Sequence, residues 1–370
     1  MTNSWDAPVS EEVEPAPLPA RPRAKASHGK SKKRLSGRTI AIGAVALVAL
    51  SFVGYVWNAL SPIGGEGSPA MVTVTSGEAS GAVYSALEAA GIINDTTIAK
   101  LYFSIVGSPT IRPGDYQLPT NSSLDQVKKV LDGGPNVVRL EVPVGFTLRE
   151  TAARVAAATA PLFGKSFGSS FTAATTSGEV SSPFQPSGVS TLEGLVAAGS
   201  YAIVPGETAP QLLREMVGRY TSMAAAGGLT PSTTVEGHDA YQLAVMASIV
   251  EKEGYYVKNM TKVARVIYNR LAGGMPLQMD ATILYGLGRD GGRVTPAMLR
   301  LDNPYNSYLN RGLTPTAIAT SGPAAINAVV HPADGAWKYF TLVSHDGTEA
   351  FANTFAEQLA NERLAARNGL

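Results

Sequence analysis

The stretch from Ala247 to Gly254, ASIVEKEG, places two carboxyl groups at the end of an otherwise apolar segment. The residues from Leu243 to Val250 leave almost no polar face, which predicts a helix buried over most of its surface. Small residues precede Glu251 by three and four positions and leave room beside it. Desolvation of a carboxyl half-buried there would favour the neutral form that a general acid needs. Glu253 points elsewhere, and the competing interpretation is a solvated helix end.

Helical patterns around this stretch would hold it in place. Apolar periodicity predicts helices over residues 209–223, 240–251 and 262–271. The last has Thr261 as its predicted N-cap and ends at Gly273-Gly274. Alternating segments at 339–343 and 349–351 predict strands, and a final helix follows Thr354. Helices and strands without regular alternation predict an α+β domain over residues 191–370.

The start of the chain has the features of a membrane anchor. Residues 1–39 contain an acidic, proline-rich start and then a basic run, which predicts a disordered tail. Residues 40–60 carry no charge, and at ~1.5 Å per residue they span about 31 Å, enough for a transmembrane helix. The positive-inside rule then places the N-terminus in the cytoplasm and everything after residue 60 outside the plasma membrane. A cleaved signal peptide is the competing interpretation, although its apolar region is usually shorter.

Three strand-then-helix patterns follow a flexible linker over residues 61–71. They begin at Val72, Tyr116 and Val137 and together fill residues 72–158. A strand, a turn with glycine and a short helix resemble the plan of LysM, a sugar-binding module. Any small βα unit with a Ser or Thr helix cap gives the same pattern, so contact of these LysM-like units with glycan is left open.

Residues 159–190 differ in composition from their surroundings. They are rich in Ser, Thr, Gly and Ala, with scattered phenylalanines. This composition predicts an irregular excursion over or beside the main site.

Composition and motifs exclude several classes of protein. The net charge of +1 indicates no nucleic-acid partner, and the absence of Cys excludes disulfides and disfavours structural zinc. The 4 histidines are scattered, so we predict no metal site. GxGxxG occurs at 286–291, but Gly292 and Pro296 stand where a helix should begin. Nucleotide-binding, zinc-protease and serine-hydrolase motifs do not occur, and we predict no cofactor.

Several motifs occur together between the two-carboxyl stretch and the C-terminus. Besides ASIVEKE, they are VAxVIYNRL at 263–271, LQMD at 277–280, IxYG at 283–286, YNxY at 305–308, GLxP at 312–315, IAT at 318–320 and HP at 331–332. In this order and spacing they resemble the endolytic murein transglycosylases, the MltG or YceG-like family. The resemblance covers roughly Val72 to the C-terminus. It departs from the family at residues 195–201, where many members carry an aromatic residue, a proline and an acid.

The resemblance implies a lytic transglycosylase, a carbon–oxygen lyase acting on polysaccharides. It would cleave the β-1,4 bond from N-acetylmuramic acid (MurNAc) to N-acetylglucosamine (GlcNAc) within nascent peptidoglycan, leave 1,6-anhydroMurNAc ends and terminate glycan elongation. By the family motif Glu251 is the acid/base. Because the sugar's own 6-hydroxyl attacks, one carboxyl can serve both steps.

The resemblance also suggests which residues surround the sugar. They carry carboxylate, amide and phenol groups, which match sugar hydroxyl and acetamido groups: Glu253, Gln278, Asp280, Tyr305, Asn306 and Tyr308. For each, a structural turn or core hydrogen bond is the alternative, and Asp280 and Asn306 could simply cap turns. The implied partners are glycan strands, the membrane and peptidoglycan synthases.

Two other functions remain in view. The chain could be a catalytically inert, membrane-anchored peptidoglycan-binding scaffold of the cell-wall synthesis machinery, although its Glu251 is present. It could be an aminodeoxychorismate lyase, a label that some relatives carry. A domain outside the membrane is a poor place for folate synthesis, and no lysine context for pyridoxal phosphate stands out.

Overall fold

The structure is a computed structural model that describes residues 37–254 and 256–370. Residues 1–36, most of the predicted tail, lie outside the described residues. The chain divides into two compact units, and the boundary in the sequence falls between Tyr55 and Val56.

Helix α1 (Gly37–Leu60) contains the predicted anchor. Its segment from Ile40 to Leu60 is long and apolar enough to cross a membrane. Side chains in the first unit are exposed along it, among them Ile42 and Leu50. By length and composition alone, α1 is one candidate membrane span.

A small region, residues 69–133, has its own hydrophobic core. Its elements are β1 (Pro69–Val74), α2 (Ser80–Ala89), α3 (Thr96–Val106), β2 (Gly114–Pro119) and α4 (Leu124–Gly133). Strands β1 and β2 pair antiparallel with Val72 opposite Tyr116. The fully buried side chains of Val83, Leu87 and Leu131 fill the space between this sheet and the helices.

The predicted strand-then-helix units are not separate. The first two share the sheet of β1 and β2, whereas the third strand, β3 (Val138–Val142), pairs with β4 (Gly199–Ile203). Leu140 and Val142 of β3 belong to a second hydrophobic core. Alternation predicts a strand but not its partner, so the grouping could not be read from the pattern. The likeness to LysM stays a prediction.

The large region, residues 138–370, is built mainly of helices around this second core. After β3 come α5 (Leu148–Phe163), α6 (Lys165–Ala174), β4, α7 (Ala209–Ala226), α8 (Ala240–Glu253), α9 (Val257–Ala272) and α10 (Asp280–Gly286). After a short 3₁₀ turn follow α11 (Pro323–Val330), β5 (Tyr339–Leu342), β6 (Glu349–Ala352) and α12 (Phe355–Arg367). The described residues thus form three two-stranded antiparallel sheets among helices, and the α+β prediction is confirmed.

The segment predicted to be irregular is partly helical. Residues 159–163 continue α5, and α6 follows after Gly164. Phe167, Phe171 and Phe184 are buried, and Phe184 packs edge-on against Tyr220. These phenylalanines bury enough apolar surface to order a segment whose small polar residues suggested otherwise.

Candidate active site

Helix α8 delivers both carboxyl groups. The Asp239 side chain accepts a hydrogen bond from Gln242 N–H (2.9 Å), and the Gln242 side chain accepts one from Asp239 N–H (3.0 Å), so a capping box fixes the helix start. The helix runs to Glu253, two residues beyond the predicted end. Positions two apart lie about 200° around a helix, so Glu251 and Glu253 face different surroundings.

A tight turn follows at once. The Gly254 N–H donates to Val250 O (2.7 Å), and a Cβ on Gly254 would lie 2.7 Å from Met260 Cγ. Helix α9 therefore begins at Val257, and the predicted N-cap Thr261 is wrong because it lies inside that helix. Helix α9 thus begins about one turn before the position that the predicted cap indicated.

Glu251 is half-buried beside the start of α11. The Gly322 N–H donates to its Oε2 (2.8 Å), which holds the carboxyl in one orientation. Beneath it, Ser248 is fully buried and its hydroxyl accepts a hydrogen bond from Ile318 N–H (3.0 Å). Glu251 Oε1 makes no hydrogen bond within residues 37–254 and 256–370. One oxygen of the carboxyl is thus anchored by a backbone hydrogen bond.

Glu253 faces helix α10. Its Oε1 accepts the N–H of Ala281 (3.1 Å) in the first turn of that helix. Burial raises the pKa of Glu253 to about 7, and the negative charges of Asp280 and Glu349 add to the rise. A glutamic acid in this state is partly protonated near neutral pH. The desolvated carboxyl expected from the sequence is therefore found at Glu253.

Two pockets meet at this carboxyl. The Glu362 pocket has a volume of about 340 Å³ and is lined by Glu253, Arg270, Gln278, Met279, Asp280, Tyr308, Tyr339, Phe340, Phe355, Gln358 and Glu362. The Arg289 pocket has a volume of about 190 Å³ and is lined by Thr147, Lys252, Glu253, Asp280, Ala281, Leu284, Tyr285, Arg289, Asp290, Gly291 and Ile318. Glu253 and Asp280 line both, whereas Glu251 lines neither.

Four of the predicted residues come together in the Glu362 pocket. Besides Glu253, they are Gln278, Asp280 and Tyr308. The Tyr308 hydroxyl donates to Asp280 Oδ1 (2.5 Å), and burial together with this carboxylate raises the Tyr308 pKa. Gln278 has a positive φ of 52°, a backbone conformation that glycine and asparagine tolerate but that is strained for a glutamine. Backbone strain of this kind is concentrated at functional sites.

Besides Glu251, two predicted residues lie outside both pockets. Asn306 is fully buried; its amide donates to Leu299 O (3.1 Å) and Leu301 O (2.9 Å) and accepts from Tyr308 N–H (3.1 Å). These contacts are those of a turn-stabilising residue. The Tyr305 hydroxyl is hydrogen bonded to Thr316 Oγ1 (2.8 Å).

Sequence reasoning missed Glu193 as part of the site. This side chain is buried; its oxygens accept hydrogen bonds from Leu148 N–H (2.9 Å) and from the Tyr285 hydroxyl (3.0 Å). Desolvation raises the pKa of Glu193 to about 7 against these hydrogen bonds. Since Tyr285 lines the Arg289 pocket, Glu193 joins α5 to a wall of that pocket. An acid between the apolar Leu192 and Leu195 was the available signal.

Lys252 supports the same pocket from the other side. Its ammonium group forms an ion pair with Asp290 and donates a hydrogen bond to Gly145 O (3.1 Å). Among the described residues, no group of three or more His, Cys, Asp or Glu could hold a metal ion.

Comparison with known proteins identifies relatives along most of the chain. The model of the YceG-like family matches residues 72–364. A Bacillus subtilis protein named endolytic murein transglycosylase is 27% identical over 299 residues, which cover 77% of this chain and 82% of the relative. A protein of the same name from Streptococcus pneumoniae strain D39 is 28% identical over 331 residues, covering 81% of this chain but 59% of the longer relative.

A solved structure shares the fold. The crystal structure of a YceG-like protein from Listeria monocytogenes superposes with a TM-score of 0.53 at 26% sequence identity, over 80% of this chain and 99% of that chain. The curated relatives bear the name of an enzyme, a lytic transglycosylase, and α8 with its two carboxyl groups lies inside the matched residues. The chain therefore belongs to the YceG-like family.

Proposed function

We propose that this chain is an endolytic peptidoglycan lytic transglycosylase. It cleaves MurNAc–GlcNAc β-1,4 bonds within nascent glycan strands, leaves 1,6-anhydroMurNAc ends and thereby terminates strand elongation. The observation that carries the proposal is the family match over residues 72–364, which includes Glu251 beside a pocketed, partly acidic surface.

Glu251 acts as both acid and base. Its carboxyl gives a proton to the leaving glycosidic oxygen as the C1–O4 bond breaks. The carboxylate then takes the proton of the 6-hydroxyl, whose oxygen closes the anhydro ring on C1, so the group ends as it began. No water is consumed, and a second carboxyl nucleophile is not needed. The Gly322 N–H keeps one oxygen fixed while the other handles the proton.

The neighbouring pockets hold the sugars. Gln278, Asp280 and Tyr308 offer amide, carboxylate and phenol groups on one surface, and the tyrosine ring can stack on a sugar face. Tyr305 and Asn306 support the sugar-binding surface indirectly, because their hydrogen bonds hold the loop that carries Tyr308. Glu253, with a pKa of about 7, contacts the substrate and is the second candidate for proton transfer.

The location follows from the charge pattern. Basic residues precede α1 in the sequence, so the N-terminus is cytoplasmic and the large region is on the outer side of the plasma membrane. There the enzyme meets strands as synthases release them, and the synthases are candidate partners.

The test is digestion of purified glycan strands by the full-length chain in detergent. Release of anhydro-muropeptides is measured by mass spectrometry for the wild type, Glu251→Gln, Glu253→Gln and the control Glu141→Gln, an exposed carboxyl of β3. Removal of a general acid/base lowers rates by about 10²–10⁴-fold. We expect a loss of about 10³-fold in Glu251→Gln, a smaller loss in Glu253→Gln, and no loss in the control.

Equal release by Glu251→Gln and the wild type would contradict the assignment. Loss in Glu253→Gln alone would transfer the acid/base role to that residue. Strand binding without release by the wild type would instead support the inert, membrane-anchored scaffold.

A further inference from the structure

The Glu362 pocket carries an excess of negative charge. Its lining contains the carboxyl groups of Glu253, Asp280 and Glu362 and one cation, Arg270. Asp280 and Glu362 against Arg270 leave an excess of one negative charge, and the partly protonated Glu253 adds to it as it ionises. A neutral sugar would not need this excess.

Arg270 does not direct its charge at these carboxylates. It is buried, and its guanidinium donates to backbone carbonyls, at 2.6 Å to Lys338 O and 2.5 Å to Leu277 O. The guanidinium also lies over the ring of Tyr339, with 5.1 Å to the ring centroid. Its donors therefore hold the chain together at the base of the pocket.

Gln358 supplies a second, independent feature. The residue is 8% exposed, and its amide nitrogen donates to Thr341 Oγ1 (2.6 Å) and Glu362 Oε1 (3.2 Å). Its Oε1 is buried and has no hydrogen-bond partner in the part of the chain that the structure describes. A buried acceptor without a partner is costly, so a donor brought by a ligand would be favourable.

Aromatic rings complete the lining. Tyr308, Tyr339, Phe340 and Phe355 line the same pocket, and Phe355 is 60% exposed at its edge. The negative faces of aromatic rings attract cations, and carboxylates beside them strengthen the attraction. Burial and the negative charges of Asp280 and Glu349 raise the pKa of Glu253, so a cation bound in the pocket would favour its ionised form.

From this combination we propose that the Glu362 pocket binds a primary ammonium group of the substrate. An ammonium group has three donors and a positive charge, which match the carboxylates, the ring faces and Gln358 Oε1. The inference rests on the proposed function and adds to it the chemical group that the enzyme selects. In peptidoglycan this group has two sources: the side-chain amine of a stem peptide, and a glucosamine without its acetyl group.

Cross-linking of the stem peptides would change how a strand binds in this pocket. A cross-link converts a stem-peptide amine into an amide, which is neutral and has a single donor. The pocket would then accept strands before cross-linking and disfavour them afterwards.

The test measures binding separately from cleavage. Full-length Glu251→Gln chain in detergent is titrated against fluorescent strands, and the Kd is read from anisotropy. The strands carry stem peptides with free amines, the same peptides with acetylated amines, no peptides, or no peptides but deacetylated glucosamine. In the same background, Glu362→Lys reverses a charge of the pocket, and Asp302→Asn removes an exposed carboxylate outside it.

We expect strands with free amines to bind about tenfold more tightly than acetylated ones at low salt, an effect typical of one well-placed charge pair. The difference should shrink at high salt and in Glu362→Lys but not in Asp302→Asn. Gain of affinity on deacetylation of the bare glycan identifies the amino sugar as the source; absence of that gain identifies the stem peptide.

Equal Kd values for free and acetylated amines would overturn the proposal, as would full amine preference in Glu362→Lys. Cleavage by the wild type is recorded in parallel. A wild type that binds with amine preference but cleaves nothing would refute the proposed function alone.

Discussion

Three carboxyl groups of the small region and three carboxyl groups of the large region have pKa values shifted in opposite directions. In the small region, the pKa values of Glu78, Asp115 and Asp132 all lie below their ordinary values. In the large region, burial raises the pKa values of Glu193, Glu253 and Glu349 to about 7. The first set consists of stabilised anions, and the second of acids that exchange protons near neutral pH.

The difference has a local cause. Asp115 accepts hydrogen bonds from Arg139, one of them 2.9 Å long, and from Thr73, so its charge is compensated. Glu349 in β6 is half-buried, and its Oε2 has no partner among the described residues. Stability favours the first arrangement. The second is typical of a site that does chemistry, and one member of that set, Glu253, lines both pockets.

The largest expected effect on stability concerns two glycines, each next to a glutamate. Gly194 follows Glu193 with φ +72°, and an added Cβ would lie 2.2 Å from Ala317 Cβ. Gly77 precedes Glu78 with φ +80° in open space. We expect Gly194→Ala to lower the free energy of unfolding by about 3 kcal/mol, and Gly77→Ala by about 1 kcal/mol. Denaturant titration of the full-length chain checks both; equal losses would show that the buried turn is not specially constrained.

The next effect concerns pH. A glutamate whose pKa rises from 4.5 to about 7 on folding stabilises the protein fully below pH 4.5, and this contribution is lost as pH rises through 7. The free energy of unfolding should therefore fall between pH 5 and pH 7.5. Glu349→Gln should reduce the pH dependence of the free energy of unfolding by up to about 1.4 kcal/mol per pH unit, which is the effect of one titrating proton.

Glu78→Gln is the matched control for this slope. Hydrogen bonds from Thr75 lower the pKa of Glu78, so its contribution is present above pH 4.5 and is lost only as pH falls further. Its replacement should leave the slope between pH 5 and pH 7.5 unchanged. A slope that Glu349→Gln does not alter would remove the contrast between the two regions.

The smallest effect concerns backbone strain. Gln278 and Asn121 both have positive φ, 52° and 60°. Gln278→Gly should stabilise the chain by up to about 1 kcal/mol and slow strand cleavage several-fold. Asn121→Gly should not stabilise it, since Asn tolerates this conformation and its side chain donates to Gly65 O (2.8 Å). Thermal melting and the strand digestion measure the two outcomes; stabilisation without slower cleavage would show that the strain serves no function.

Local elements of this protein could be predicted well from the sequence. The apolar run of α8 and the final helix capped by Thr354 are present, with ends that differ by a few residues. The predicted start of the final helix is confirmed, and the structure adds its cap: the Thr354 side chain accepts a hydrogen bond from Glu357 N–H (3.3 Å). Periodicity and capping are properties of neighbouring residues, and a single sequence contains them.

Pairings over long distances could not be predicted. The antiparallel contact of β3 with β4 joins segments about 60 residues apart, and no local pattern specifies it. The same holds for the hydrogen bond from Gly322 to Glu251 and from Tyr285 to Glu193. Which of two nearby glutamates is desolvated depends on such contacts. The sequence therefore indicated both candidate carboxyl groups but not which of them has the raised pKa.

Glu253 stands in the wall shared by two pockets, and this geometry makes them interdependent. A cationic group bound in one pocket would favour loss of the proton from Glu253. The adjoining pocket would then present a carboxylate instead of a carboxylic acid. Binding in one pocket would then change the charge that the other pocket presents, without movement of the backbone. The order in which parts of a polymer arrive would matter to how firmly each is held.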